Sequence, residues 1–324
     1  MSPENVRRSV RVRVPATTAN LGPGFDCLGA ALDIFNEVEL AWADGDEIII
    51  EGEGAGELPK DASNLAWRAA LAVLRAVAAR RGDAATSPQE ISSGRGWRLR
   101  LVNRIPLARG LGSSAAAIVG GMTAANLLLD GRLGTRDILH LALPMEGHPD
   151  NLAPCLTGGM TVAYTSADGE VGYQRLGIFS STDPAWYVLY PDLEVSTWEA
   201  RGTLPDAVPL ADAVHNLARV ALLVTAFGEG RPELLVEATA DRVHQPYRRS
   251  LYPWLEDLIA AARSWGAYGA ALSGAGPAVV IWAPPGSENN LRFGVERWAN
   301  KQKTSWHLLS TSLARSGAGA VDSK

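Results

Sequence analysis

The run Pro106-Leu107-Ala108-Arg109-Gly110-Leu111-Gly112-Ser113-Ser114-Ala115-Ala116 constrains the fold more than any other stretch of the chain. Its glycines let the backbone turn tightly and approach a ligand. Ahead of it, Trp97, Leu99 and Leu101 alternate with Arg98 and Arg100, the period of a half-buried strand. Behind it, small residues continue to about Leu129, which predicts a thin helix packed close behind the turn. Ser113 and Ser114 then stand at a helix N-terminus, where amides are unpaired and the dipole is positive. That combination suits a polyphosphate. The plainer reading is a glycine turn with a serine N-cap.

Absences sharpen this. The four lysines, Lys60, Lys301, Lys303 and Lys324, all lie outside the glycine-rich turns, and no GxxxxGK[ST] is present. A Walker-type loop is excluded by pattern. No GxGxxG joins an early strand to a helix, and the protein-kinase HRD and DFG set is missing. Phosphate held here would rest on backbone amides, hydroxyls and arginines.

Two further segments carry polar chemistry. Glu146-Gly147-His148-Pro149-Asp150-Asn151 offers carboxylates, an imidazole and an amide within six positions. A glutamate plus a loop serine would suit Mg²⁺, which takes oxygen ligands; the alternative is a polar helix end with turn residues. His148 has no second His or Cys at zinc-ligand spacing. Leu272-Ser273-Gly274-Ala275-Gly276-Pro277-Ala278 lies between two apolar runs and reads as a hairpin turn that another segment can approach. Arg201 and Arg248 each follow a polar loop stretch, and arginine pairs clamp carboxylates.

The length, 324 residues, suggests two domains. The texture changes near Ser166, so residues 1–166 and 167–324 are the expected units. Strands near Trp186–Tyr190, Ala267–Leu272 and Val279–Ala283 alternate with helices in the second, an α+β pattern. The helices are expected near Ala211–Gly228, Pro232–Val243 and Trp254–Trp265, with Trp306–Leu313 as a closing strand. Gly147 to Gly159 reads as loop, with room for a short helical piece. Ser316 to Lys324 is small and polar and is expected to fray. A net charge of −5 argues against binding nucleic acid mainly through phosphates. The N-terminus lacks an apolar signal segment, and the apolar runs around Ala221–Phe227 and Ala278–Ala283 are short. With only Cys27 and Cys155, a soluble protein of a reducing, cytoplasmic compartment is expected, with no membrane partner.

The three glycine segments, in this order and spacing, resemble the GHMP kinases. Pro106 to Ala116 matches that family's PxxxGLGSSAA motif, and Leu272 to Pro277 its C-terminal glycine motif. Pro15-Ala16-Thr17-Thr18-Ala19-Asn20-Leu21-Gly22-Pro23-Gly24-Phe25-Asp26 and His148 to Pro154 with Gly158-Gly159 are similar to the branch that phosphorylates L-homoserine. The resemblance implies an α+β, two-domain kinase. Its N-terminal domain would be like ribosomal protein S5 domain 2 and its C-terminal domain ferredoxin-like, with ATP and acceptor meeting between them.

The resemblance also implies roles. Pro106, Arg109, Gly110, Leu111, Gly112, Ser113, Ser114 and Ala115 would hold the triphosphate, and Asn64 the base. Ser114 and Glu146 would hold Mg²⁺. Asp26 would take the acceptor's ammonium, Arg201 and Arg248 its carboxylate, with His148 beside them. Asn20, Asn151 and Thr197 would sit at the reacting hydroxyl, with Asp150 the candidate base. A dimer is common in this branch. The rivals are a GHMP kinase for an alcohol without an amino group, and a ligand-binding protein that keeps the fold without catalysis.

Overall fold

The computed structural model describes residues 8–82, 87–91, 94–131, 133–177 and 184–321. The charged start of the chain read above lies partly outside them.

The first layer grows from a β-sheet. The alternation of Val10, Val12 and Val14 with arginines forms β1 (Ser9–Ala19), antiparallel to the long β2 (Leu28–Ala43). β3 (Glu47–Gly52) is followed by α1 (Leu65–Arg80) and the short α2 (Pro88–Ile91). The chain then enters β4 (Gly96–Asn103), which pairs antiparallel with β2 and parallel with β3. α3 (Ser113–Leu128), α4 (Thr135–Glu146) and α5 (Pro149–Thr157) follow. A hairpin of β5 (Met160–Thr165) and β6 (Val171–Arg175) adds to the other end of β2.

α3 is buried on nearly every side, and its small residues explain how. A Cβ on Gly121 would overlap the carbonyl of Ala66 in α1, and one on Gly120 would press on Val38 and Val14 of the sheet. The helix is therefore sandwiched between α1 and the sheet, with no polar face to show. Beneath α1, Trp97 of β4 is fully buried and meets Trp42 and Trp67 at ring separations of 5.9 Å each. Trp97→Ala is expected to lower the unfolding free energy by about 3–5 kcal/mol, the cost of an indole-sized cavity. Denaturant melts check this, and a loss below about 1 kcal/mol would mean the cluster is not a rigid core element.

The second sheet is β7 (Ala185–Pro191), β8 (Gly269–Leu272), β9 (Val279–Ala283) and β10 (Trp306–Thr311), in the order β10-β7-β9-β8 and antiparallel throughout. Numbered within this unit the order is 4-1-3-2, the ferredoxin-like arrangement. Between β7 and β8 lie α6 (Thr197–Arg201), α7 (Leu210–Gly228), α8 (Leu235–Ala238) and α9 (Leu255–Ser264). α10 (Glu288–Ala299) joins β9 to β10. α9 and α10 cover one face, packing on Leu189, Leu272, Val279 and Ile281. On the other, Trp186 and Trp282 meet Phe227 of α7 and join the core of the first sheet.

Several expectations need correction. The division at 166 falls inside the β5–β6 hairpin, because β6 stays with the first sheet. The tail expected to fray instead returns: β11 (Gly319–Ala320) pairs with β1, and the amide of Val321 donates to Arg11 O at 2.9 Å. Residues 322–324 lie outside the described residues. The stretch 147–159 is mostly the helix α5 rather than loop. The helix expected over Pro232–Val243 is broken into a 3₁₀ turn (Pro232–Leu234) and α8, followed by turns. α7 is 19 residues long and apolar enough to cross a membrane by length and composition, longer than the run read from the sequence. It carries Asp212 and Arg219 and packs its Leu223, Ala226 and Phe227 into the core.

Candidate active site

The glycine turn after β4 ends at Gly112, whose left-handed φ of 65° caps α3 without a side-chain bond. The first amides of α3 are thus left for a ligand. The turn is wedged in place. A Cβ on Gly112 would overlap Thr17 Oγ1, and one on Gly110 would overlap the carbonyl of Ser273. Backbone bonds tie it to both sheets, from Thr17 N to Leu111 O at 3.1 Å and from Ala278 N to Arg109 O at 3.0 Å.

Beside the turn, the exposed Ser114 hydroxyl lies 2.8 and 2.7 Å from the two oxygens of Glu146. Glu146 ends α4 and faces the head of α3. Burial pushes its carboxyl above the usual range, opposed in part by the Ser114 hydroxyl. A hydroxyl and one carboxylate, both hard oxygen donors, fit Mg²⁺ that keeps waters and phosphate oxygens as its other ligands. Among the described residues no cluster of three or more His, Cys, Asp or Glu could hold a metal by itself.

One turn away, α5 begins. His148 Nδ1 meets Asp150 Oδ1 at 2.6 Å. Burial alone would lower the His148 pKa, but the bond to Asp150 and its charge outweigh it and raise the value. Asn151 Oδ1 accepts from Thr17 Oγ1 at 2.7 Å, which fixes the amide toward the turn.

The opposite wall comes from three chain segments. The β1–β2 connection places Asp26 at a left-handed φ of 54°. Asn20 holds it there: its Oδ1 accepts from Asp26 N at 3.0 Å, while its Nδ2 donates to Gly274 O at 2.9 Å. α6 carries Thr197 and Arg201 four residues apart, hence on one face. Arg201 grips Asp26 with two bonds, 3.0 and 2.6 Å. Arg248, in a 3₁₀ turn (Pro246–Ser250), is 2% exposed. It donates to Gly274 O at 2.8 Å and to His244 Nδ1 at 3.0 Å, and its Nε has no partner. Among the described residues no carboxylate oxygen lies within ion-pair distance of Arg248. Burial lowers its pKa from the ordinary arginine value.

These groups surround one cavity of about 210 Å³. The structure brings Asn20, Asp26, Pro106, Arg109 to Ser114, Glu146, His148, Asp150, Asn151, Thr197, Arg201 and Arg248 to its wall, with Gly274 to Gly276. Two expected residues do not line it. Ala115 is buried one position deeper in α3. Asn64 instead caps α1, accepting from Ala66 N and Trp67 N and donating to Pro59 O, so its amide is largely committed to the fold. Sequence reading passed over Phe25, which stacks on His244 at 5.3 Å, and His244 itself. It also passed over Asp241, whose carboxylate gathers the amides of Val243, His244 and Gln245 and the side chain of Asn216.

A helix head open to phosphate and a charged wall sharing one cleft is the layout of a small-molecule phosphotransferase, and the comparisons agree with it. Residues 64–159 match the family of GHMP kinases N terminal domains, and residues 221–300 that of GHMP kinases C terminal domains. The class is that of the GHMP kinases. A homoserine kinase of Moorella thermoacetica is 45% identical over 271 residues, 84% of this chain and 86% of that protein. The crystal structure of homoserine kinase from Cytophaga hutchinsonii superposes with a TM-score of 0.83 at 28% identity, covering 99% of this chain and 100% of that one. L. major mevalonate kinase in complex with R-mevalonate shares the fold at a TM-score of 0.71 and 15% identity, over 97% and 99% of the two chains. The chain belongs to the homoserine kinase family.

Proposed function

We propose that the protein transfers the γ-phosphoryl group of ATP to the hydroxyl of L-homoserine, giving ADP and O-phospho-L-homoserine, a step towards threonine. The observation that carries this is Arg248: a buried guanidinium with no carboxylate partner among the described residues, on the wall of the cavity that the phosphate turn also lines. A buried cation of this kind gains most from an incoming carboxylate. Asp26 and Arg201 complete a set suited to a zwitterion, which a neutral or purely anionic alcohol would leave half unused.

In this reading the amides of Gly110 to Ser114 hold the triphosphate, with Ser114 and Glu146 holding Mg²⁺. When bound, Mg²⁺ neutralises charge on the phosphate oxygens. Arg248 and Arg201 take the acceptor carboxylate, and Asp26 the ammonium. Asn151 and, from the opposite wall, Thr197 orient the hydroxyl toward the phosphate. Asn20 acts through the turn it holds, since both ends of its amide are occupied. Phosphoryl transfer depends mainly on positioning and charge stabilisation, so the hydroxyl loses its proton late, without a strong base. The short bond from His148 already occupies Asp150 Oδ1. Asp150→Asn is therefore expected to change kcat by less than about tenfold. A fall of several thousandfold with little change in KM would make Asp150 the base.

The direct test is ADP release over L-homoserine, mevalonate, galactose and no acceptor. Turnover with homoserine alone is expected. Turnover with mevalonate but not homoserine would overturn the acceptor assignment, and no turnover with any would favour a binding protein.

A further inference from the structure

His244 is fully buried and lies four residues before Arg248. Its Nδ1 sits 3.0 Å from an Arg248 nitrogen and its Nε2 2.7 Å from Gly22 O. The partners dictate its state. A guanidinium only donates, so Nδ1 must accept. A carbonyl only accepts, so Nε2 must carry the proton. The ring is thus the neutral Nε2–H tautomer, linking Arg248 to the turn that carries Asp26. It also stacks on Phe25, the residue before Asp26. The guanidinium carbons of Arg201 and Arg248 lie 5.5 and 5.8 Å from the Phe25 ring centre.

We propose that His244 is a positioning residue of the acceptor site, whose neutral imidazole sets the spacing between the carboxylate-binding arm at Arg248 and the ammonium-binding turn at Asp26. The surroundings fit that role. Asp241 Oδ2 is 3.5 Å from Nε2, but its oxygens are taken by three backbone amides and by Asn216. It anchors the 241–245 segment. Asn216 in turn donates to Pro23 O at 3.1 Å and so ties the same turn from α7. The charged groups facing the imidazole are Asp241, Arg248 and Asp26, with Arg201 across Phe25. Burial, reinforced by Arg248 and opposed by Asp241, lowers its pKa, which keeps the ring in the neutral form the geometry needs.

This role rests on the acceptor being an amino acid, and the experiment separates the two claims. The readout is kcat/KM for L-homoserine divided by that for 3-amino-1-propanol, which lacks the carboxylate. A wild-type enzyme that does not prefer homoserine would overturn the amino-acid reading, and the role of His244 with it. Given that preference, His244→Gln reaches Gly22 but offers Arg248 no acceptor at the Nδ1 position. It is expected to shrink the ratio about tenfold, the effect of one charge-assisted hydrogen bond, while the ATP KM holds. His244→Asn keeps an acceptor near Nδ1 and should retain the ratio within about threefold. An unchanged ratio in the Gln variant, or equal losses in both, would reduce His244 to a core spacer. Should either variant fail to fold, ¹⁵N NMR of the wild-type imidazole decides. Protonation at Nε2 with Nδ1 accepting is expected; an imidazolium or the Nδ1–H form refutes the proposal.

Discussion

Arg248→Ala is expected to raise the KM for L-homoserine at least about a hundredfold, because roughly 3 kcal/mol of desolvated, bidentate carboxylate binding is lost. The KM for ATP should move by less than about threefold. The asymmetry follows from the site. Among the described residues the Arg248 guanidinium hydrogen-bonds only to His244 and Gly274 O, and neither belongs to the glycine turn after β4. Arg248→Lys should fail nearly as badly, since an ammonium is a point charge that cannot make the forked contact. Steady-state kinetics with each substrate varied in turn checks the claim. Equal rises in both KM values would mean that Arg248 shapes the cleft as a whole rather than gripping the acceptor.

Ser114→Ala should act on the other substrate. Its hydroxyl and the Glu146 carboxylate lie 2.7 to 2.8 Å apart at the head of α3. Losing one of two protein oxygens from a site of so few ligands is expected to lower kcat/KM for the metal–nucleotide complex about 10²–10³-fold. The Mg²⁺ concentration at half-maximal rate should rise, and the homoserine KM should hold. Ser114→Thr keeps the hydroxyl and should recover most of the loss. The burial-raised carboxyl of Glu146 adds a sign: protons compete with the metal there, so the Mg²⁺ requirement should ease as pH rises. A Ser114→Ala enzyme with unchanged Mg²⁺ dependence would remove this oxygen from the metal site.

The glycine turn between β4 and α3 was legible in the sequence because glycine, serine and alanine each had a local reason to be there. The strands with period-two alternation, such as Trp97 to Leu101, were legible for the same cause. α5 was legible only as room for a short helical piece, and it holds two prolines. Pro149 sits in the first turn, where a missing N–H costs nothing. Pro154 leaves the carbonyl of Asp150 without its helical donor, and that carbonyl lies against Gly29 of β2, where a Cβ would overlap it. The returning tail was hidden differently. Its contacts are backbone ones, including Ala318 N to Cys155 O at 2.8 Å and Val321 N to Arg11 O at 2.9 Å, and small residues make them as well as any others. His244 left no local signal at all, since its partner Gly22 is 222 positions away in the chain.

The most direct measurement is a crystal structure with Mg²⁺, a non-hydrolysable ATP analogue and L-homoserine bound together. The account predicts the terminal phosphate at the amides of Gly112 to Ser114. It predicts the amino-acid carboxylate on Arg248, its ammonium beside Asp26, and its hydroxyl directed at the phosphate from near Asn151. Homoserine bound outside this cavity, or reversed with its ammonium toward Arg248, would contradict it.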